Sequence, residues 1–351
     1  MLIFVVLLLV AAGLVILYST SAYNGQVKFH DPFHYLKKQG FATLLGLFGM
    51  ALIARVDYHK WVPLAIPAYV TSIILSVAVI FFGDEYNGSK RWLSLGPISF
   101  QPSEFAKVAV IFFLACLVSR NVQRMKRFRT MILMMIPVLP IVGLVGASNL
   151  STAIIILGIA VVLIFVADPK YVRFILMGSI GVGFMTVFLA MESYRLERLA
   201  IWRHPEQYEK GYQTLQGLYA IGSGGLFGRG LGNSVQKLGF LPEAQNDMIF
   251  SIICEELGLI GAGFIILLFL ILIWRFFVIS TKASDLLGAL IAAGAMAHMM
   301  IQVILNIAVV TNSIPNTGIT LPFISYGGTS VVFLLLEMGL VLSVSNYEGL
   351  R

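Results

Sequence analysis

Residues 241–277 read LPEAQNDMIFSIICEELGLIGAGFIILLFLILIWRFF, a polar segment that ends at Asp247 and runs directly into a long apolar stretch. An α-helix rises 1.5 Å per residue, so about 20 apolar residues cross the hydrocarbon core of a bilayer. The apolar stretch is longer than that, and its first turns can project above the hydrocarbon. The segment therefore predicts a transmembrane helix that carries a carboxylate at its start.

The composition extends this prediction to the whole chain. Of the 351 residues, 58% are apolar and only 12% are charged, which is outside the usage of a water-soluble domain. A chain of this length has room for about ten crossings and one sizeable loop. We predict an all-α, polytopic membrane protein that forms a single domain over residues 1–351.

Apolar runs bounded by charges and turn residues give the positions of the helices. The first run, residues 1–18, lacks the basic leader and the cleavage site of a secretory signal, so we expect it to be retained as a helix. Cys116 and Cys254 both fall within apolar runs and are expected to be buried thiols. The predicted helices lie near residues 1–19, 41–55, 61–82, 103–119, 131–147, 152–167, 171–191, 247–276, 285–311 and 328–346.

The basic residues set the predicted topology. The connector 120–129 carries no acidic residue, and an excess of Lys and Arg marks cytoplasmic loops. Alternation from this connector places both termini in the cytoplasm and residues 192–246 outside it. The net charge of +7 then reflects topology, and no nucleic-acid partner is expected. The basic residues of the connector are Arg120, Arg124, Lys126, Arg127 and Arg129, and those that break the rule in the first outer loop are Lys28, Lys37 and Lys38.

Two polar segments interrupt the succession of helices. Residues 83–101 are polar and lead into Pro102, a residue typical of a helix start. Residues 192–246 are too polar to span the membrane and far longer than an ordinary connection, and loops of such length are often functional. We therefore expect the chemistry to lie on this long extracytoplasmic loop and little charge to be buried within the bilayer.

Ionisable residues inside apolar spans need a partner, an aqueous cavity or a function. Glu104 and Lys107 lie three residues apart on one helical face, where they either pair with each other or bind an anionic substrate. His298 and Glu337 are expected to form hydrogen bonds between helices.

Asp247 has two compatible interpretations. A carboxylate at a helix start is a common N-cap, and the helix dipole favours its ionised form. An ionised carboxylate at the edge of a membrane cavity is also a suitable general base. Glu255 and Glu256 lie further along the same helix and are interpreted as structural.

Several other chemistries lack their motifs. The Gly-rich run 222–232 has neither the Lys-Ser/Thr ending nor the preceding strand of a phosphate-binding loop, and close backbone packing explains it better. The sequence contains no HExxH, no cysteine pair at zinc spacing and no GxSxG. These absences argue against nucleotide binding, metalloprotease and serine hydrolase activity.

Six longer blocks stand in a fixed order over essentially the whole chain: NGSKRW (87–92), QPSEFAK (101–107), GYQ (211–213), GGLFGRGLG (224–232), LPEAQND (241–247) and TGITLPFISYGG (317–328). Together they resemble the SEDS family (shape, elongation, division and sporulation). The LPEA block and the long final block resemble the FtsW and SpoVE branch more than the RodA branch.

The resemblance implies a peptidoglycan glycosyltransferase that polymerises lipid II, an undecaprenyl-diphosphate-linked disaccharide-peptide, at the outer face of the cytoplasmic membrane. It also implies a class B penicillin-binding protein and other division or elongation membrane proteins as partners. By the same resemblance Asp247 is catalytic, and Glu104, Lys107 and Arg91 support its cavity. One departure is Asn149, which stands where family members often carry an Asp.

The reaction itself requires a base for the attacking sugar hydroxyl and positive charge for the departing diphosphate. Asp247 can supply the base, and direct attack inverts the anomeric centre. A bound Mg²⁺ or Mn²⁺ is an alternative source of positive charge, and no other cofactor is expected. Two rival functions stay open, a flippase for the lipid-linked precursor and a non-catalytic scaffold of the division machinery. The candidate substrate-binding residues are Glu104, Lys107, Arg91, Arg198, Arg203, Lys237 and Glu243.

Overall fold

The structure is a computed structural model that describes residues 1–86, 89–95, 98–124, 128–168, 170–172, 175, 178–179, 181, 183 and 199–347. Helices dominate it, as predicted. They are α1 (Leu2–Phe29), α2 (His34–Ala54), α3 (Ala65–Phe82), α4 (Pro102–Asn121), α5 (Phe128–Met135), α6 (Val138–Ser148), α7 (Leu150–Ala167), α8 (Tyr212–Gly224), α9 (Ile249–Lys282), α10 (Leu286–Val310) and α11 (Gly328–Asn346).

Within the part of the chain that the structure describes, seven helices are long and apolar enough to cross a membrane, or eight if the bent pair α5 and α6 forms one span. The protein is therefore a multi-pass membrane protein. The predicted count of about ten includes a helix at 171–191, most of which lies outside the described residues.

Helix α2 begins earlier than the sequence predicted. The expected start was residue 41, but the helix runs from His34, so Lys37 and Lys38 lie inside it and not in a loop. The side chain of Asp31 accepts hydrogen bonds from the amide of Phe33 at 2.9 Å and from Lys37 Nζ at 2.7 Å. These contacts close the turn between α1 and α2, and lysine is itself a good helix former, so Lys37 and Lys38 continue the helix.

The polar segment before α4 is a small sheet and not an irregular loop. Strands β1 (Asp84–Tyr86), β2 (Ser89–Leu95) and β3 (Ile98–Phe100) pair antiparallel in the order β1-β2-β3. Asp84 pairs with Trp92, and Leu93 pairs with Phe100. This small sheet is an addition to a fold that is otherwise helical, as predicted.

Two of the predicted helices are broken. The helix expected at 131–147 is divided into α5 and α6, which are bent by 42° where Pro137 interrupts the hydrogen-bond ladder. Helix α9 is broken at Gly258, which has φ 68° and ψ −170°. A side chain cannot replace hydrogen there, because a Cβ would lie 2.3 Å from the amide nitrogen of Gly228.

The Gly-rich run packs its backbone against the break in α9. The amides of Arg229 and Gly230 donate to the carbonyls of Glu255 and Glu256, each at 2.9 Å. In return, the amide of Leu259 donates to a carbonyl of the run, also at 2.9 Å. The exchange satisfies backbone groups that the break leaves without helical partners, and it fits the close-packing interpretation of these glycines.

The described chain divides into two compact units, and the prediction of one domain stays a prediction. Residues 199–246 of the predicted long loop belong to the first unit and contain α8. The first unit comprises Met1–Phe41, Met177–Leu272 and Gln302–Gly328, with fully buried Val6, Leu9, Leu17, Ile252 and Ile324 in its core. The second comprises Ala42–Leu176, Ile273–Ile301 and Thr329–Arg351, with fully buried Leu114, Ile156, Leu163, Ala292 and Leu335.

Candidate functional site

Asp247 lies in the first unit, two residues before α9 begins at Ile249. Asp247 is only 7% exposed, and Gln213 Nε2 lies 3.5 Å from its Oδ1. Its main-chain carbonyl accepts a hydrogen bond of 2.9 Å from Asn306 Nδ2. The predicted catalytic carboxylate is thus buried before the start of a membrane-spanning helix, with the side-chain amide of Gln213 beside it.

The segment that ends at Asp247 is held from several sides. Asn24 Nδ2 of α1 donates to Gln245 Oε1 at 3.0 Å, and the amide of Tyr326 donates to the carbonyl of Gln245 at 2.9 Å. Glu243, a predicted substrate-binding residue, is half-buried, has φ 54° and accepts a hydrogen bond from Asn246 Nδ2. The side chains and backbone of distant segments therefore fix the residues around the carboxylate.

The prediction that Lys237 binds the diphosphate is not supported by its environment. Its Nζ lies 2.6 Å from Glu256 Oε1 and 3.0 Å from Ser19 Oγ. The side chains of Lys237 and Glu256 are only 7% and 2% exposed. The charge of Lys237 is therefore balanced by Glu256 inside the protein, and a contact of Lys237 with the substrate stays a prediction.

The expectation that little charge is buried is wrong in this unit. Glu255 and Glu256 are 0% and 2% exposed. Glu255 accepts hydrogen bonds from Ser234 Oγ at 2.5 Å and the Val235 amide at 3.0 Å, and Arg229 lies 3.3 Å from its carboxylate. Residues 229–237 fold back onto α9 and supply these donors, which satisfies buried carboxylates that would otherwise be costly. The structural interpretation of the two glutamates fits this arrangement.

The remaining predicted residues of the long loop are less buried or fall outside the described residues. Arg203 is exposed, and Arg198 lies outside the described residues. Beside Arg203, Trp202 Nε1 donates to the carbonyl of Asn312 at 2.9 Å. Arg203 therefore sits on an anchored segment and stays a candidate for binding an anion.

Glu104 and Lys107 belong to the second unit, where they form the ion pair that their spacing allows. Lys107 Nζ lies 3.0 Å from Glu104 Oε1, with side chains 1% and 8% exposed. His298 Nδ1 lies 2.8 Å from Glu337 Oε2, which is the predicted hydrogen bond between helices. A contact of Glu104 and Lys107 with substrate stays a prediction.

Arg91 also belongs to the second unit. It is half-buried, and its Nε donates to the carbonyl of Ser148 at 3.3 Å beside a small recess that Ser103 and Asn149 also line. Asn149 accepts a hydrogen bond from the Thr152 amide at 3.3 Å and so caps α7. The side-chain amide of Asn149 therefore serves as the N-cap of α7.

The described residues form no evident metal site, since no group of three or more of their His, Cys, Asp and Glu side chains is placed to hold an ion. Mg²⁺ is often held by one or two carboxylates together with substrate phosphates. A divalent cation therefore stays a prediction.

Two residues that contact Asp247 are not among the residues predicted from the sequence. Gln213 lies in the GYQ block, and Asn306 stands as a single amide in the apolar run of α10. A lone polar residue in a membrane-spanning helix is by default a candidate for function. That signal applied to Asn306 as much as to His298 and Glu337.

These features define a multi-pass helical membrane protein with a buried, rigidly held carboxylate at the start of a broken membrane-spanning helix. A family model described as "Cell cycle protein", which represents FtsW, RodA and SpoVE, matches residues 1–349. The chain belongs to this family, and the SEDS resemblance is confirmed.

Individual relatives match over nearly their whole length. Stage V sporulation protein E of Bacillus subtilis is 40% identical over 99% of this chain and 97% of the relative. A probable peptidoglycan glycosyltransferase FtsW of Geobacter is 35% identical over 97% of this chain and 94% of the relative. A chain in the solved structure of a peptidoglycan synthase complex superimposes with a TM-score of 0.83, at 29% identity over 100% of this chain and 98% of that chain.

Proposed function

We propose that this protein is a peptidoglycan glycosyltransferase that polymerises lipid II for cell division or cell-shape wall synthesis. Full-length relatives carry the name peptidoglycan glycosyltransferase, and the chain shares their family. The observation that carries the assignment is Asp247, a buried carboxylate held at the start of a membrane-spanning helix. A lipid-linked sugar diphosphate has its lipid in the membrane and its sugar in water, so the base must lie at the boundary between the two.

The carboxylate of Asp247 acts as the general base. It takes the proton from a sugar hydroxyl while the hydroxyl oxygen forms a bond to the anomeric carbon of a second lipid-linked sugar. The bond from that carbon to the diphosphate oxygen breaks, and the polyprenyl diphosphate leaves with the electron pair. Attack from the opposite face inverts the anomeric centre. The rigid hold on the segment before α9 keeps the base aligned for this transfer.

Positive charge must balance the departing diphosphate. Lys237 and Lys107 are each buried and paired with a glutamate, so we assign this task first to Arg203, which is exposed. The other candidates are Lys237, Lys107, Arg91, Arg198 and a divalent cation held largely by the diphosphate. Glu243 and Glu104 stay candidates for binding the polar part of the substrate.

We further propose that the active site is extracytoplasmic, that both termini are cytoplasmic, and that a class B penicillin-binding protein supplies transpeptidation. The basic connector 120–129 supports the orientation. The similar chain in a complex that coordinates polymerization and crosslinking supports the partnership. Other division or elongation membrane proteins are further expected partners.

A polymerisation assay tests the enzyme against its rivals. Purified protein with lipid II and its penicillin-binding partner is expected to form glycan polymer, and EDTA tests the cation in parallel. A flippase would instead move lipid II across proteoliposomes without forming polymer under any condition. A scaffold would do neither, and either outcome would refute the enzyme.

Cysteine labelling in intact cells tests the orientation. Gln207→Cys lies on the exposed surface of the long loop, and Gln123→Cys lies on the exposed surface of the basic connector. Both native cysteines, Cys116 and Cys254, are buried, which keeps the background low. A membrane-impermeant maleimide is expected to label Gln207→Cys and to spare Gln123→Cys. The reverse pattern would place the site in the cytosol and contradict the proposal.

A further inference from the structure

Helix α10 brings one buried amide to the main chain of the catalytic residue. Asn306 is 0% exposed, and its Nδ2 donates to the carbonyl of Asp247 at 2.9 Å and to the carbonyl of Ile319 at 2.7 Å. These acceptors lie 59 positions before and 13 positions after Asn306 in the sequence. A single NH₂ group therefore joins the residue before α9 to the loop before α11.

The hydrogen bonds of this amide make the junction specific. An amide side chain has two N–H donors, and Asn306 uses both on buried carbonyls. Its Oδ1 is buried, and no described residue donates a hydrogen bond to it. The side chain therefore acts at this site only as a donor. A residue without donors would remove both hydrogen bonds and, with them, this hold on the main chain of Asp247.

A proton transfer depends on the position of the base, because displacement by about 1 Å can cost on the order of 100-fold in rate. We infer that Asn306 is a positioning residue for the glycosyl transfer, holding the backbone of Asp247 so that the carboxylate faces the attacking hydroxyl. The inference rests on the proposed function. In this role Asn306 acts through Asp247 and does not contact the substrate.

The chain offers a matched control. Gln39 is 2% exposed, and its amide also makes two hydrogen bonds to the loop before α11, donating to the Ser325 carbonyl at 3.3 Å and accepting from the Gly327 amide at 3.1 Å. Loss of either amide loosens the same loop. Only the loss of Asn306 removes the hydrogen bond to Asp247.

The test measures polymerisation by Asn306→Ala and Gln39→Ala in the full chain, with lipid II and the penicillin-binding partner, together with thermal unfolding. For Asn306→Ala we expect kcat to fall about 10- to 100-fold while KM for lipid II changes less than about twofold. For Gln39→Ala we expect a similar loss of thermal stability and a much smaller change in kcat. Asn306→Ser, which keeps one shorter donor, is expected to fall between wild type and Asn306→Ala.

Three results would overturn the inference. The first is Asn306→Ala with wild-type kcat, and the second is an equal loss of kcat in Gln39→Ala. The third is a loss of activity in Asn306→Ala and Asn306→Ser that only follows the loss of folded protein, since that would show a structural role. If wild-type protein forms no polymer at all, the proposed function fails and not this inference alone.

Discussion

Replacing Lys237 by Met tests whether its ion pair with Glu256 is a buried structural element. Lys237 Nζ lies 2.6 Å from Glu256 Oε1, and both side chains are almost completely buried. Removing one partner of a buried pair typically costs about 3–5 kcal/mol, because the other charge stays uncompensated. Met has a similar length, so no large cavity adds to this cost.

The remaining partners of Glu256 set the expected value at the lower end of that range. After the substitution, the carboxylate of Glu256 would still accept hydrogen bonds from Ser19 Oγ at 2.7 Å and from the Ser234 amide at 3.3 Å. Hydrogen bonds to a charged group partly offset its burial. We therefore expect Lys237→Met to lower the free energy of unfolding by about 3 kcal/mol.

The assay is equilibrium unfolding in mixed micelles, with thermal unfolding alongside. Lys37→Met is the matched control, because Lys37 also pairs with a carboxylate at 2.7 Å, but the two side chains are 69% and 33% exposed. Exposed pairs contribute little, so this variant should be indistinguishable from wild type. The double variant Lys237→Met/Glu256→Leu should recover part of the lost stability, since it removes the orphaned charge.

A small effect would refute this reasoning. If Lys237→Met unfolds within about 1 kcal/mol of wild type, the magnitude typical of an exposed pair, the pair is not a buried structural element. If the same variant also loses affinity for lipid II, that result would support the prediction that Lys237 binds the substrate.

Two further substitutions test the fold. Gly258→Ala should lower the unfolding temperature strongly, because φ 68° and ψ −170° suit only glycine and the new Cβ would lie 2.3 Å from backbone. Gly263→Ala is the control and should leave the unfolding temperature unchanged, because the space around its Cβ is open. Equal effects of the two substitutions would contradict the break in α9. Burial opposes ionisation of Asp285, yet hydrogen bonds from the Gly288 amide and Tyr58 outweigh it and lower its pKa. The stability that Asp285 contributes is therefore present above its ordinary pKa of 3.8 and lost as the pH falls through the lower folded value. The difference in unfolding temperature between wild type and Asp285→Asn should shrink as the pH falls below about 3.8, and a difference that does not change there would contradict this role.

Much of the helical architecture followed from the apolar runs. The helix expected at 103–119 is Pro102–Asn121, and the one expected at 152–167 is Leu150–Ala167. Both begin at residues with clear local signals, a proline at the first turn and an asparagine cap. The start of α2 was missed because its charged residues resemble a loop, and only the turn at Asp31 shows that they belong to a helix.

The site was predictable in part. The position of Asp247 before a long apolar run and the family blocks pointed to it from the sequence alone. The partner of Lys237 could not be predicted, because it lies 19 positions away and meets the lysine only when the loop folds back onto α9. The role of Asn306 was hidden for a different reason. Its acceptors are backbone carbonyls, which leave no trace in the pattern of side chains.

The most direct test of Asp247 as the general base is the polymerisation rate of Asp247→Asn with lipid II and the penicillin-binding partner. Asparagine keeps the shape of the side chain and the main-chain hydrogen bond from Asn306, but its amide cannot take a proton from a sugar hydroxyl. We expect a folded protein whose rate is lower by at least about 100-fold. Polymerisation within a few-fold of wild type would show that another group removes the proton and would contradict the account.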